Sequence, residues 1–197
     1  MAHYRAIAAI LAAVSGLVKE RYPRAEFGSS LSVASLQPST VEKGLTGEGI
    51  AICLWRVALN GQRRNRGPRL DALGNRFKPS LPLDLSILVI PYSADAERQA
   101  RMLGWVMRTF EDAGTLTAAQ LNFYLAESDV FSPEENVVLV CDPLALGDHL
   151  ALWDRLKQLP PAANYLVRMV LLDSLESFSE GPLVNTREFQ IGVVQSS

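Results

Sequence analysis

The sequence predicts an α+β fold: a single mixed or antiparallel sheet with flanking helices. Three observations predict it. Four runs are apolar and rich in β-branched or aromatic residues at strand length, and three stretches carry apolar residues at helical spacing. The two kinds then follow one another as helix, strands, helix, strand, helix, strand, which suits helices packed on one sheet. With 48% of its 197 residues hydrophobic and 20% charged, the chain has the apolar material for one core, and a disordered protein is excluded.

The first helix is read from Ile7, Ile10, Leu11, Val14, Leu17 and Val18, spaced as one helical face. Arg5 followed by apolar residues resembles a weak secretory signal, but the pattern runs on into Lys19, Glu20 and Arg21, as an amphipathic helix would. Pro23 stops it. Residues 24–49 are rich in Ser, Gly and Thr and read as loop, with a short strand candidate at 31–36. IAICLWRVALN, from Ile50, is apolar at nearly every position and predicts a central strand covered on both faces. LPLDLSILVIPY, from Leu81, alternates at first and then becomes apolar throughout, so the two strands predict a hairpin with an extended tip. Leu103, Val106, Met107 and Phe110 give a second amphipathic helix over 95–113, with Asp95 and Glu97 at its electropositive start and Gly114 at its end. Residues 115–135 read as a mixed connection. NVVLVC is a third buried strand, and LALGDHLALWDRLKQL a helix presenting Leu146, Leu150 and Trp153 to the core, broken by Pro160 and Pro161. Residues 165–173 form the last strong strand. Together these define a domain over 1–175, followed by a polar tail, 176–197, with a short alternating piece around 184–194.

No catalytic signature emerges. His3 and His149 have no nearby partner for a metal, and Cys53 and Cys141 lie in strand-like runs where a thiol packs as a small hydrophobe. GLTGEGI precedes a strand and lacks the Lys-Ser/Thr pair of a phosphate loop, so it reads as a turn. The carboxylate pairs Asp95/Glu97, Glu111/Asp112 and Glu134/Glu135 sit at helix ends or in loops, where solvated caps account for them. Trp55, Trp105 and Trp153 are core or interface anchors. No apolar run approaches the ~20 residues of a membrane span. The sequence therefore implies no cofactor, metal or small-molecule substrate.

One stretch is out of place. Residues 61–78 hold Arg63, Arg64, Arg66, Arg69, Arg76 and Lys78 against Asp71 alone, a net +5 that leaves −7 for the rest of a chain totalling −2. The acidic total argues against a dedicated nucleic-acid binder. A nucleic-acid accessory role for the basic loop 63–78 is the alternative reading, but Phe77 is the only aromatic there on which a base could stack. Clustered arginines suit bidentate pairing with carboxylates on a protein partner, and a mobile basic loop on an acidic body suits head-to-tail packing.

Several segments resemble the cap, or tail-terminator, family of phage-tail-like extracellular contractile injection systems. They are the opening helix; ICLWRVALNGQRRNRGPR, with an Arg-Asn pair at Arg64 and Asn65; LPLDLSILVIPYSADAERQARMLGWVMRTF, with Leu-Gly at Leu103 and Gly104; and ALGDHLALWDRL, with Leu-Trp at Leu152 and Trp153. YLVRMVLLDS followed by GPLVNTREFQIGV resembles the family's closing strand and tail, and Arg187 and Phe189 lie there. The resemblance implies a tail-terminator-like fold and a homo-hexameric ring that closes the distal end of the inner tube and contractile sheath, ends polymerisation and couples the layers. It also implies assembly in the cytoplasm and later presence in the particle. Arg63, Arg64, Asn65, Arg66, Arg69, Arg76, Lys78, Arg187 and Phe189 are the candidate partner-binding residues, and the tail is a candidate strand-forming arm.

Overall fold

An alanine-rich stretch with apolar residues three and four apart forms α1 (Ala6–Glu20), which buries Ala6, Ala9, Ile10, Ala13, Val14 and Leu17. The structure is a computed structural model that describes residues 2–28, 31–63, 66–71, 73–125, 130–156 and 160–177. After α1 come α2 (Arg24–Phe27), β1 (Ser32–Ser35), α3 (Pro38–Glu42) and β2 (Gly49–Leu59). A 3-10 turn (Gly61–Arg63) and the two-residue strands β3 (Arg69–Leu70) and β4 (Arg76–Phe77) make up the described part of the basic excursion, and β5 (Leu81–Tyr92) returns. Then follow α4 (Ala96–Ala113), β6 (Thr115–Thr117), α5 (Ala118–Phe123), β7 (Asn136–Cys141), α6 (Leu146–Leu156) and β8 (Ala163–Leu172).

Six strands form one sheet in the order β1-β2-β5-β8-β7-β6. β1 runs parallel to β2 and every other pairing is antiparallel, so the predicted mixed sheet with flanking helices is what forms. Pleat alternation sends Ile50, Ile52, Leu85, Ile87 and Val89 to one face, where they pack with α1, α4 and β8 in the larger core. Ala51, Cys53, Leu88 and Ile90 point to the other face and meet Val41 of α3 and Leu156 of α6 in a smaller core. Gly49 is required by close approach: a Cβ there would lie 2.3 Å from the Ser32 carbonyl oxygen and 2.5 Å from the Tyr92 hydroxyl.

Some expectations change. β2 is covered only over its first half: Gly49 to Cys53 are buried, while Val57 and Leu59 are about half exposed, so the central positions belong to β5 and β8. The same correction applies to α6. Leu146, Leu150 and Trp153 are 74%, 53% and 52% exposed, and it is Leu152 and Leu156 that turn toward the smaller core. The connection 115–135 contains β6 and α5, the latter started by a reciprocal capping box between Thr117 and Gln120. Asp95 caps α4 as its position predicts, accepting from the Glu97 and Arg98 amides.

Candidate interaction surface

The basic excursion is built from its base outward. Asn60, almost fully buried, donates through Nδ2 to both Asp84 carboxylate oxygens at 3.0 and 3.2 Å, and its Oδ1 accepts from the Gln62 amide at 3.1 Å. These bonds pin the 3-10 turn to β5. Further out, β3 and β4 pair through Arg69↔Phe77 and Leu70↔Arg76. Asp71 holds their turn: its carboxylate accepts from the Leu73 and Asn75 amides at 2.9 and 2.8 Å and from Asn75 Nδ2 at 2.8 Å. The Asn75 side-chain bond first, then the backbone amides, lower the Asp71 pKa below its ordinary value. Gly74 supplies the φ of 83° that the turn needs. The described residues of this excursion thus form a folded tip rather than the mobile loop the sequence suggested.

The candidate partner-binding residues separate into groups. Arg69 turns inward: its guanidinium lies 4.5 Å over the Phe77 ring, and Nε is 3.5 Å from Asp173 Oδ2. That distance makes an ion pair but not a hydrogen bond, and Arg69 Nε and Nη2 are buried with no hydrogen-bond acceptor among the described residues. Asp173 is held in turn by Ser80 Oγ, which donates to Oδ1 at 2.6 Å. Lys78 pairs with Glu176 through both its ammonium and its backbone amide, the latter at 3.0 Å from the Glu176 carbonyl, and Lys78 lowers the Glu176 pKa. Phe77 bridges to Ser177, so the segment after β8 runs beside the tip. Arg76 is exposed in β4 and has an interaction of its own. Arg63 and Arg66 are exposed, form no ion pair with a described residue, and line a cleft of about 190 Å³. Arg64, Asn65, Arg187 and Phe189, with the predicted strand around 184–194, lie outside the described residues.

Glu134 and Glu135 also line the cleft, and its apolar lining includes Met169 and Leu171. Glu135 is committed to its own turn, accepting from the Ser132 amide and hydroxyl at 2.6 and 2.9 Å. Met169 has φ 70°, the one non-glycine residue in the left-handed region among those described, at the place where the β5–β8 register skips. Such a conformation costs of order 1–3 kcal/mol and marks a bulge that local packing must hold.

Burial pushes the Cys53 thiol up to about 11, away from nucleophilic use, and raises Cys141 as well. No group of His, Cys, Asp and Glu among the described residues is placed to hold a metal ion, and no described helix is long and apolar enough to cross a membrane.

A family model, the Pvc16 N-terminal domain, matches residues 9–186, which run from the first turn of α1 through β8 and include the whole basic tip. The chain belongs to the Pvc16 N-terminal domain family. Among solved structures, this Pvc16 N-terminal domain is similar to the sheath/tube terminator of an extracellular contractile injection system, PVC, in its extended state. The TM-score is 0.61 at 12% identity, over 96% of this chain and 64% of that one. It is also similar to the tube-terminating cap of the anti-feeding prophage, with TM-score 0.51 and 15% identity over 89% of this chain and 60% of that one. The chain spans less than two thirds of either relative's length. One relative is a sheath/tube terminator and the other a tube-terminating cap. No curated protein matches the sequence. The fold is therefore tail-terminator-like, as the resemblance implied.

Proposed function

We propose that this Pvc16 N-terminal domain is a structural terminator. As a homo-hexameric ring it closes the distal end of the inner tube and contractile sheath of an injection particle, ends polymerisation and couples the two layers. The supporting observations are the shared fold over 96% of the chain with a sheath/tube terminator and the match to the Pvc16 N-terminal domain family. Such a role needs shape and charge but no bond-making step. Assembly in the cytoplasm before the particle is released belongs to the same reading.

The basic tip is the contact we assign to this work. Arg63 and Arg66, exposed and without an ion pair to a described residue, are its first candidates, with Arg64 and Asn65 between them in sequence and Arg76 in β4. Arg69 and Lys78 contribute by holding the tip in shape. Residues 176–197, with Arg187 and Phe189, form the second assigned contact: an arm that adds a strand to a sheet edge, its own or a neighbour's. The nucleic-acid alternative gains nothing from the geometry, because Phe77 is stacked under Arg69.

The test is assembly. Arg63→Glu with Arg66→Glu is expected to lengthen particles or leave their ends open, as seen by electron microscopy, while the purified chain stays folded. Capped particles of unchanged length would refute the assignment of the tip. Loss of ring formation on deleting residues 180–197 would support the arm, and intact rings would remove its intersubunit version.

A further inference from the structure

The second half of β2 has an edge that no strand among the described residues takes up. β1 pairs with β2 only over Gly49 to Ile52, and the last bond on that side runs from the Leu36 amide to the Ile52 carbonyl at 2.9 Å. Further along, the Asn60 amide donates to the Pro82 carbonyl of β5 at 3.0 Å. By the alternation of an antiparallel pair Ala58 also faces β5, whereas the amides and carbonyls of Val57 and Leu59 face the open side. Among the described residues nothing bonds to them there. Their side chains are uncovered too. Val57 and Leu59 stand opposite Leu85 and Leu83, on the face of the larger core, yet they are 47% and 50% exposed. An open edge with apolar side chains on its core face is a template for one more strand.

The chain carries a segment that fits it. In the tail beyond the described residues, Phe189, Ile191 and Val193 alternate with Glu188, Gln190 and Gly192, the period of a half-buried strand. The described chain also ends within reach. Ser177 bridges Phe77, Leu83 lies six residues after Phe77, and Leu59 pairs with Leu83. Six residues of chain and three strand spacings therefore put Ser177 at most about 35 Å from the outer side of Leu59. Phe189 is twelve residues after Ser177 and can lie up to about 40 Å from it. We infer that residues 189–193 pair antiparallel with the open edge of β2 in the same chain, Phe189 beside Leu59 and Ile191 beside Val57, as an added strand of the sheet. Tethering supplies the segment at an effective concentration on the order of millimolar, which a strand from another molecule would have to match. The inference rests on the strand-forming arm assigned above and says which edge, and whose, the arm takes.

Amide hydrogen exchange of the full chain, read residue by residue by NMR, tests it. The Val57, Leu59, Phe189 and Ile191 amides are expected to be protected, and the Gln190 amide, which points away from β2, to exchange freely. Because the pairing lies within one chain, the protection is expected to be the same at every dilution. Phe189→Asp/Ile191→Asp is expected to speed exchange at Val57 and Leu59 at least tenfold and to leave Ala58, which faces β5, unchanged. The reciprocal variant Val57→Lys/Leu59→Lys is expected to free the Phe189 and Ile191 amides by as much, and it replaces the first should Ala58 respond there. Val57 and Leu59 amides that exchange as freely as Gln190, or that stay protected in the tail variant, overturn the inference. Protection that appears only as concentration rises gives the edge to a second copy, which overturns the inference and leaves the arm reading standing. The expected protection in a chain that is absent from particle ends would support the pairing and overturn the terminator reading.

Discussion

Replacing Arg69 with methionine tests whether the tip is held by its pairing with the end of β8. Arg69 is 18% exposed and Asp173 8%, and the ion pair at 3.5 Å lies under the tip rather than on its surface. Removing one partner of a buried pair costs roughly 3–5 kcal/mol. Here Ser80 still satisfies one Asp173 oxygen, the pair is longer than a hydrogen bond, and methionine keeps contact with the Phe77 ring. The expected loss is therefore about 2 kcal/mol, or about 4–8 °C in Tm for a chain of this size. Asp173→Asn alone is expected to cost a similar amount, and the double variant much less than the sum. Urea unfolding of the four proteins gives the coupling energy, expected at about 1 kcal/mol or more. Coupling within about 0.3 kcal/mol of zero, the range of independent sites, would show that Arg69 and Asp173 are mere neighbours and refute the anchoring.

Three other outcomes are expected. Asn164 accepts from Trp55 Nε1 at 2.9 Å and donates to the Asp142 carbonyl at 2.7 Å, so Asn164→Leu strands both groups and is expected to cost about 1–3 kcal/mol for each that stays buried, measured by chemical denaturation. Gly49→Ala drives a Cβ into the Ser32 carbonyl and the Tyr92 hydroxyl, with an expected loss of about 1–3 kcal/mol and displacement of β1; an unchanged midpoint would contradict the close approach. Asp71 has its pKa lowered in the folded tip, so its contribution is present above the ordinary Asp value of about 4 and is lost as pH falls through the folded value. The Leu73 and Asn75 amide resonances are therefore expected to shift together in acid, and in Asp71→Ala to be already shifted at neutral pH.

Long elements with strong periodicity were legible in the sequence because their burial is local in cause: Val106 and Phe110 fall on one face of α4 whatever the rest of the chain does. The β2–β5 hairpin was equally plain, its strands joined by the excursion between them. Strand order was not, since nothing in β8 itself says that it lies between β5 and β7. Elements of three to six residues, such as β6 and α5, are too short to show a period. The apolar stripe of α6 was visible, but a stripe does not say which surface it meets, and its assignment to this chain's own core was the natural error. In the tip, a lone Phe77 among arginines was the available sign that one of them is stacked. That Arg69 was the one depended on Asp173, which the end of β8 brings beside it.

The central claim is a place in a particle. Cryo-electron microscopy of particles assembled with the tagged wild-type chain measures it most directly. The account predicts a ring of this polypeptide seated at the end of tube and sheath, and tubes of uncontrolled length when the chain is omitted. Density for it elsewhere, or normally terminated particles without it, would contradict the account.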